Sequence, residues 1–120
     1  MADHAALIER LEALTGPDAE TDWLITQWAD PGAVRHSSAH QHYTRSLDAV
    51  IALVERELPG WCVDCLQHMR GEDMWNAALR DDKADIDPMT KCPPRRWGFG
   101  ATASIALCIA LLKAKGGDNG

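Results

Sequence analysis

Leu7, Leu11 and Leu14 recur at helical spacing, with Ile8 beside them and Glu9, Arg10 and Glu12 opposite. The pattern predicts a helix over 3–14, capped by Asp3. "TGPD" at 15–18 stops it, because Gly16 suits the exit position and Pro17 the start of the next element. A second short helix is expected over 19–28, with Trp23, Leu24 and Trp28 on its inner face. The segment 29–42 has no sustained period and is read as a long loop, functional or mobile. Leu47, Val50, Ile51, Val54 and Leu58 then mark the clearest helix. Thr44 or Ser46 caps it, Asp48 sits favourably in its first turn, and Pro59 with Gly60 ends it.

Beyond Gly60 the period changes. "WCVDCLQHM" at 61–69 alternates, which places Trp61, Val63, Cys65 and Gln67 on one face and Cys62, Asp64, Leu66 and His68 on the other. "RGED" at 70–73 reads as a turn and 74–80 as a second strand, so the two runs form a hairpin. A polar loop follows, and "RRWGF" adds a short third strand. The last helix, 101–115, is apolar nearly all round, so it is expected to be covered on more than one side. The order of elements predicts an α+β fold: a small antiparallel sheet of two to three strands, covered by about four helices.

Length and composition fit that reading. The chain has 120 residues, 46% hydrophobic and 25% charged, which suits one folded domain over 1–120. The formal charge of −6 disfavours general attraction to nucleic acid. The apolar run Ile105 to Leu112 is too short to span a bilayer, and "MADHAALIER" lacks the features of a signal peptide. A cytoplasmic protein is expected, with its four cysteines as thiols or metal ligands and no membrane partner.

Four stretches, in matching order over most of the chain, carry a family resemblance. They are "LIERLEALTGPDAETDWLI" at 7–25, "YTRSLDAVIALV" at 43–54, "GW" at 60–61 and "ATASIALCIALLKAK" at 101–115. Together they resemble the phage ABA sandwich domain family, small proteins of tailed phages and prophages with helices packed on a small sheet. The resemblance implies a phage or prophage origin and supports the α+β fold. It implies no catalytic residues. The histidine-rich loop and "CVDC" depart from the family pattern and inherit no role from it.

Four groups of residues carry candidate chemistry. Cys62, Cys65 and His68 have ligand-like spacing for zinc, with Cys92 as a fourth ligand and His36, His40 and His42 as spare imidazoles. Alternation separates Cys62 from Cys65, however, so structural cysteines and no bound metal are the expectation. "HSSAHQHY" offers three imidazoles but no readable orienting partner or pocket. Asp81, Asp82, Asp85 and Asp87 lack the pattern of a calcium loop and read as a solvated face.

"RRWGFGAT" is the fourth. Arg95 and Arg96 suit phosphates, Trp97 and Phe99 suit stacking on a base, and Thr102 caps the following helix or binds an oxygen. The plain reading of the same stretch is a strand-to-helix hinge, with glycines at the turn and the aromatics packed. A second basic-aromatic group, His42, Tyr43 and Arg45, precedes another helix, so two helix starts, brought together between subunits, are expected to converge on one ligand.

No nucleophile–base pair, paired carboxylate or complete metal motif emerges, so no enzyme and no cofactor is expected. Three functions fit: a counter-defence protein that sequesters a nucleotide-type host immune signal, an anti-CRISPR-like inhibitor that binds a host defence protein, and a small metal-binding module. A homo-oligomer is expected, because the small residues Ala103, Ser104, Ala106, Cys108 and Ala110 give the last helix a face for a partner chain.

Overall fold

The computed structural model describes residues 4–32, 42–71, 74–81 and 95–115. Their elements are α1 (His4–Ala13), α2 (Ala19–Ala29), α3 (Leu47–Glu57), β1 (Trp61–His68), β2 (Trp75–Asp81), β3 (Arg95–Gly100) and α4 (Ala103–Lys115). The strands form one antiparallel sheet in the order β1-β2-β3. This is the α+β arrangement that the periodicities predict. Asp3, His36, His40, Cys92 and the aspartates at 82, 85 and 87 lie outside the described residues, as does most of the 29–42 loop.

Local chemistry sets the boundaries. Asp18 caps α2 by accepting from Thr21 N, and Ser46, rather than Thr44, caps α3 by accepting from Ala49 N. Gly60 (φ 92°) turns the chain out of α3, and Gly71 (φ 79°) turns the hairpin, both in the region that other residues avoid. The hairpin closes with Met69 N donating to Met74 O at 2.8 Å.

The core lies on one side of the sheet. Ala77 and Leu79 of β2 join Leu7, Leu11, Val50, Val54 and α4 in a single cluster, with Trp61, Val63, Leu66 and Trp75 packed against it. α4 lies along β3 and β2, and α1 and α3 flank it. Gly98 and Gly100 make this possible. A Cβ on Gly98 would overlap the carbonyl oxygen of Ala106 and come within 2.6 Å of Ala110 N. A Cβ on Gly100 would meet the Ile105 side chain at 2.6 Å. The glycines therefore serve close backbone approach and not only a hinge.

α4 is covered by its own chain. Every residue from Ser104 to Leu112 is 5% exposed or less. Its small residues pack on β3 and the flanking helices, so the partner-facing surface expected there is absent within the described fold. No helix among the described residues is long and apolar enough to cross a membrane.

Two faces differ from their sequence reading. The inner face of α2 carries Thr21, Asp22, Ile25 and Thr26, while Trp23, Leu24 and Trp28 are only half-buried. A polar junction explains this. Thr44 N and Thr44 Oγ1 both donate to Asp22 Oδ1 at 2.7 Å, and Asp18 N donates to Thr44 Oγ1 at 2.9 Å. Trp28 instead donates from its indole to His4 Nε2 at 2.9 Å, tying α2 to α1. The second difference is in β1, and it shapes the candidate site.

Candidate ligand-binding face

Strict alternation would put Cys62 and Cys65 on opposite faces of β1. The ladder shows otherwise. Cys62 pairs with Arg80 and Cys65 with Ala78, because the register shifts between Val63 and Cys65. Asp64 is the extra residue of a β-bulge. One added residue flips the parity of everything after it. Cys62, Cys65 and Gln67 therefore share the face of Arg80, Ala78 and Asn76, while Val63, Leu66 and His68 turn toward the helices.

β3 completes that outer face. Arg95, Trp97 and Phe99 stand opposite Arg80, Ala78 and Asn76. No helix among the described elements packs there, and the core cluster includes none of these side chains. Trp97 is 41% exposed and Phe99 42%. They are exposed because the described helices pack on the other face. Ala78 is buried between the positions of Cys65 and Trp97, and as a small residue it leaves the aromatics standing above the sheet.

A charged cluster closes one end of this row. Arg80 Nη1 donates to Asp64 Oδ1 at 2.9 Å, and Arg95 Nε lies 2.6 Å from Asp64 Oδ2. The Arg95 Nε–H does not point along that line, so the contact is an ion pair without an aligned hydrogen bond. Arg80 Nη2 also donates to Cys62 Sγ at 3.4 Å. At the bulge the Asp64 carboxylate thus lies between two guanidinium groups. The sequence did not reveal the grouping of Asp64 with Arg80 and Arg95, because the three come from different strands and meet only through the sheet register.

Of the seven residues singled out in the sequence, three come together here: Arg95, Trp97 and Phe99. Arg96 has the opposite parity and pairs with Leu79, on the helix side. Its Nη1 donates to the Arg95 carbonyl at 3.0 Å, and its buried Nε finds no hydrogen-bond partner among the described residues. Thr102 caps α4, its Oγ1 accepting from Ile105 N at 3.1 Å.

Tyr43 and Arg45 lie elsewhere. Tyr43 is buried, its hydroxyl pKa pushed up by desolvation, and its carbonyl accepts from Cys108 Sγ at 3.9 Å. Cys108 falls on the side of α4 away from Ala106 and Ala110, which meet Gly98 of β3. Tyr43 is therefore separated from Trp97 by both α4 and the sheet. Arg45 is exposed beside it. Within one chain the two helix starts do not converge, because the start of α3 lies against the middle of α4; the convergence between subunits expected from the sequence is a matter of assembly.

The metal reading also changes. Cys62 and Cys65 share a face, but His68 turns away and sets its ring 5.2 Å from that of Trp75. Among the described residues no group of three or more His, Cys, Asp or Glu could hold a metal ion. His42 Nδ1 lies 3.7 Å from the buried carboxylate of Asp22, so the structure supplies a neighbouring carboxylate that the sequence did not reveal.

At the other end of β3, α1 and the hairpin leave a cleft of about 600 Å³. Its walls include Glu12, Leu14, His68, Met74, Trp75 and Phe99. Phe99 thus borders both the outer face and this cleft. No family model, no curated protein and no solved structure matches the chain.

Proposed function

We propose that this is a non-enzymatic phage counter-defence protein that sequesters a small nucleotide-type signal of the host, acting in the bacterial cytoplasm. The observation that carries the reading is the pair Trp97 and Phe99, half exposed on the face of β3 away from the described helices. Successive same-face residues on a strand stand about 7 Å apart, a spacing that presents two rings as a platform for flat groups. Base–aromatic stacking of this kind is tolerant of base identity. The guanidinium groups of Arg95 and Arg80, gathered on Asp64, offer an anchor for a phosphate at the end of the row.

The charge of −6 favours a short anionic ligand over a long polyanion. The phage context rests on the sequence resemblance to the ABA sandwich domain family. Calorimetric titration with cyclic mono- and dinucleotides and with ADP-ribose derivatives tests the reading. Binding is expected, weakened at least tenfold by Trp97→Ala and by Arg95→Ala. No heat with any of them would remove it.

A second reading has its own support. Met74, Trp97 and Phe99 are exposed apolar groups on an acidic protein, which suits the surface of an inhibitor that grips a host defence protein. A stable complex in a host pull-down, lost with Trp97→Ala and obtained without nucleotide binding, would favour it.

A further inference from the structure

The cleft at the hairpin end of the sheet differs in character from the arginine end. Trp75 and Phe99 give it aromatic walls, and Met74 and Leu14 add apolar surface. Among the described residues its ionisable lining groups are Glu12 and His68, and no described lysine or arginine borders it. Its volume of about 600 Å³ falls within the range of small-molecule sites. Two of its lining side chains, Met74 at 37% and Phe99 at 42%, are among the exposed large hydrophobics of the chain. Apolar surface in a concave site is gained by a ligand that covers it.

Aromatic faces carry negative electrostatic potential, and a carboxylate adds to it. A phosphate would meet Glu12 without a balancing lysine or arginine among the described walls. We infer that this cleft binds an organic cation with an apolar body: a quaternary or alkyl ammonium, either free or at the end of a lysine side chain. The cationic head would sit over Trp75 or Phe99 toward Glu12, and its carbon groups would cover Met74 and Leu14. The acidic net charge draws such ligands in generally, and the rings supply the selection. This site is independent of the nucleotide reading, although Phe99 borders both.

The test is titration of the intact protein, followed by NMR at the Trp75 indole and Phe99 ring and by calorimetry. The probes are tetramethylammonium, choline, the neutral choline isostere 3,3-dimethylbutan-1-ol, and a Gly-Lys-Gly peptide with its Nζ-acetylated counterpart. Choline or the lysine peptide should bind at least fivefold tighter than its uncharged counterpart and shift Trp75 and Phe99. The tighter of the two identifies the source of the cation. Glu12→Gln should lower cation affinity by about fivefold and leave the neutral isostere unchanged. Glu12 is exposed on α1, so the variant should fold. Arg95→Ala should have no effect, which separates this site from the nucleotide platform. Equal binding of charged and neutral probes, or no response at either ring, would overturn the inference.

Discussion

Gly98 of β3 and Ala106 of α4 touch backbone to backbone: a Cβ on Gly98 would overlap the Ala106 carbonyl oxygen. Neither partner is the flexible end of a side chain, so neither can swing aside. Gly98→Ala should cost about 3 kcal/mol, the upper part of the overpacking range. Gly16 has nothing within 4 Å of its Cβ position and no positive φ. Gly16→Ala should therefore change stability by less than about 1 kcal/mol. Urea denaturation of the two variants checks the contrast.

Thr44 is the hinge of the junction between α2 and α3. Its hydroxyl donates to the buried Asp22 carboxylate and accepts from Asp18 N. Thr44→Val keeps the shape but leaves Asp18 N without its acceptor and removes one donor from a buried charge. A loss of about 2–3 kcal/mol is expected, with Thr44→Ser recovering most of it. Thermal melts of both variants measure this.

Asp18 links stability to acid. Hydrogen bonds from the Thr21 side chain and backbone, with help from Arg10, hold its pKa below the usual 3.8 despite some desolvation. A carboxylate whose folded pKa is depressed contributes stability that is present above its unfolded pKa. That contribution is lost as pH falls through the folded pKa. Wild type should therefore exceed Asp18→Asn in stability at neutral pH, and the gap should close below about pH 4. Denaturant titrations between pH 7 and pH 2 follow it.

Thiol chemistry separates the cysteines of the described fold. Cys62 and Cys65 are half-buried on the outer face, whereas Cys108 is buried and desolvation pushes its thiol pKa far up. Iodoacetamide should label Cys62 and Cys65 in the native protein and Cys108 only after unfolding. Peptide mapping by mass spectrometry distinguishes them. Native labelling of Cys108 at a comparable rate would mean that α4 opens readily.

Trp97 and Phe99 should show a split between stability and binding. Both project from the face away from the core, so Trp97→Ala should cost less than about 1 kcal/mol of stability. The same change should lower affinity for a nucleotide ligand at least tenfold. Parallel melts and titrations separate the two effects.

Much of the fold was legible because apolar spacing is a local property. Leu7 and Leu11, or Val50 and Val54, share a face whatever surrounds them. The hairpin likewise followed from alternation and the turn at Gly71. The candidate site was legible only in part. Arg95, Trp97 and Phe99 are alternate residues of one strand, so their common face follows from the pleat. Arg96 was grouped with them by sequence adjacency, which a strand turns into opposition. Tyr43 and Arg45 were grouped by analogy between helix starts, and nothing local reports that α4 and the sheet stand between them and Trp97.

The sequence by itself determined the elements, their order, the cap of α4 at Thr102, and an α4 too apolar to be left exposed. Those depend on propensity and period within a few residues. The tertiary structure decided the rest. The bulge at Asp64 put Cys62 and Cys65 on one face, because pairing with β2 fixes which residue is left over, and the sheet register brought Arg80 and Arg95 to one carboxylate. One-sided helix packing exposed Trp97 and Phe99, because Gly98 and Gly100 let α4 settle against the inner face of the sheet. Which face is covered depends on contacts between distant segments, and no local pattern records them.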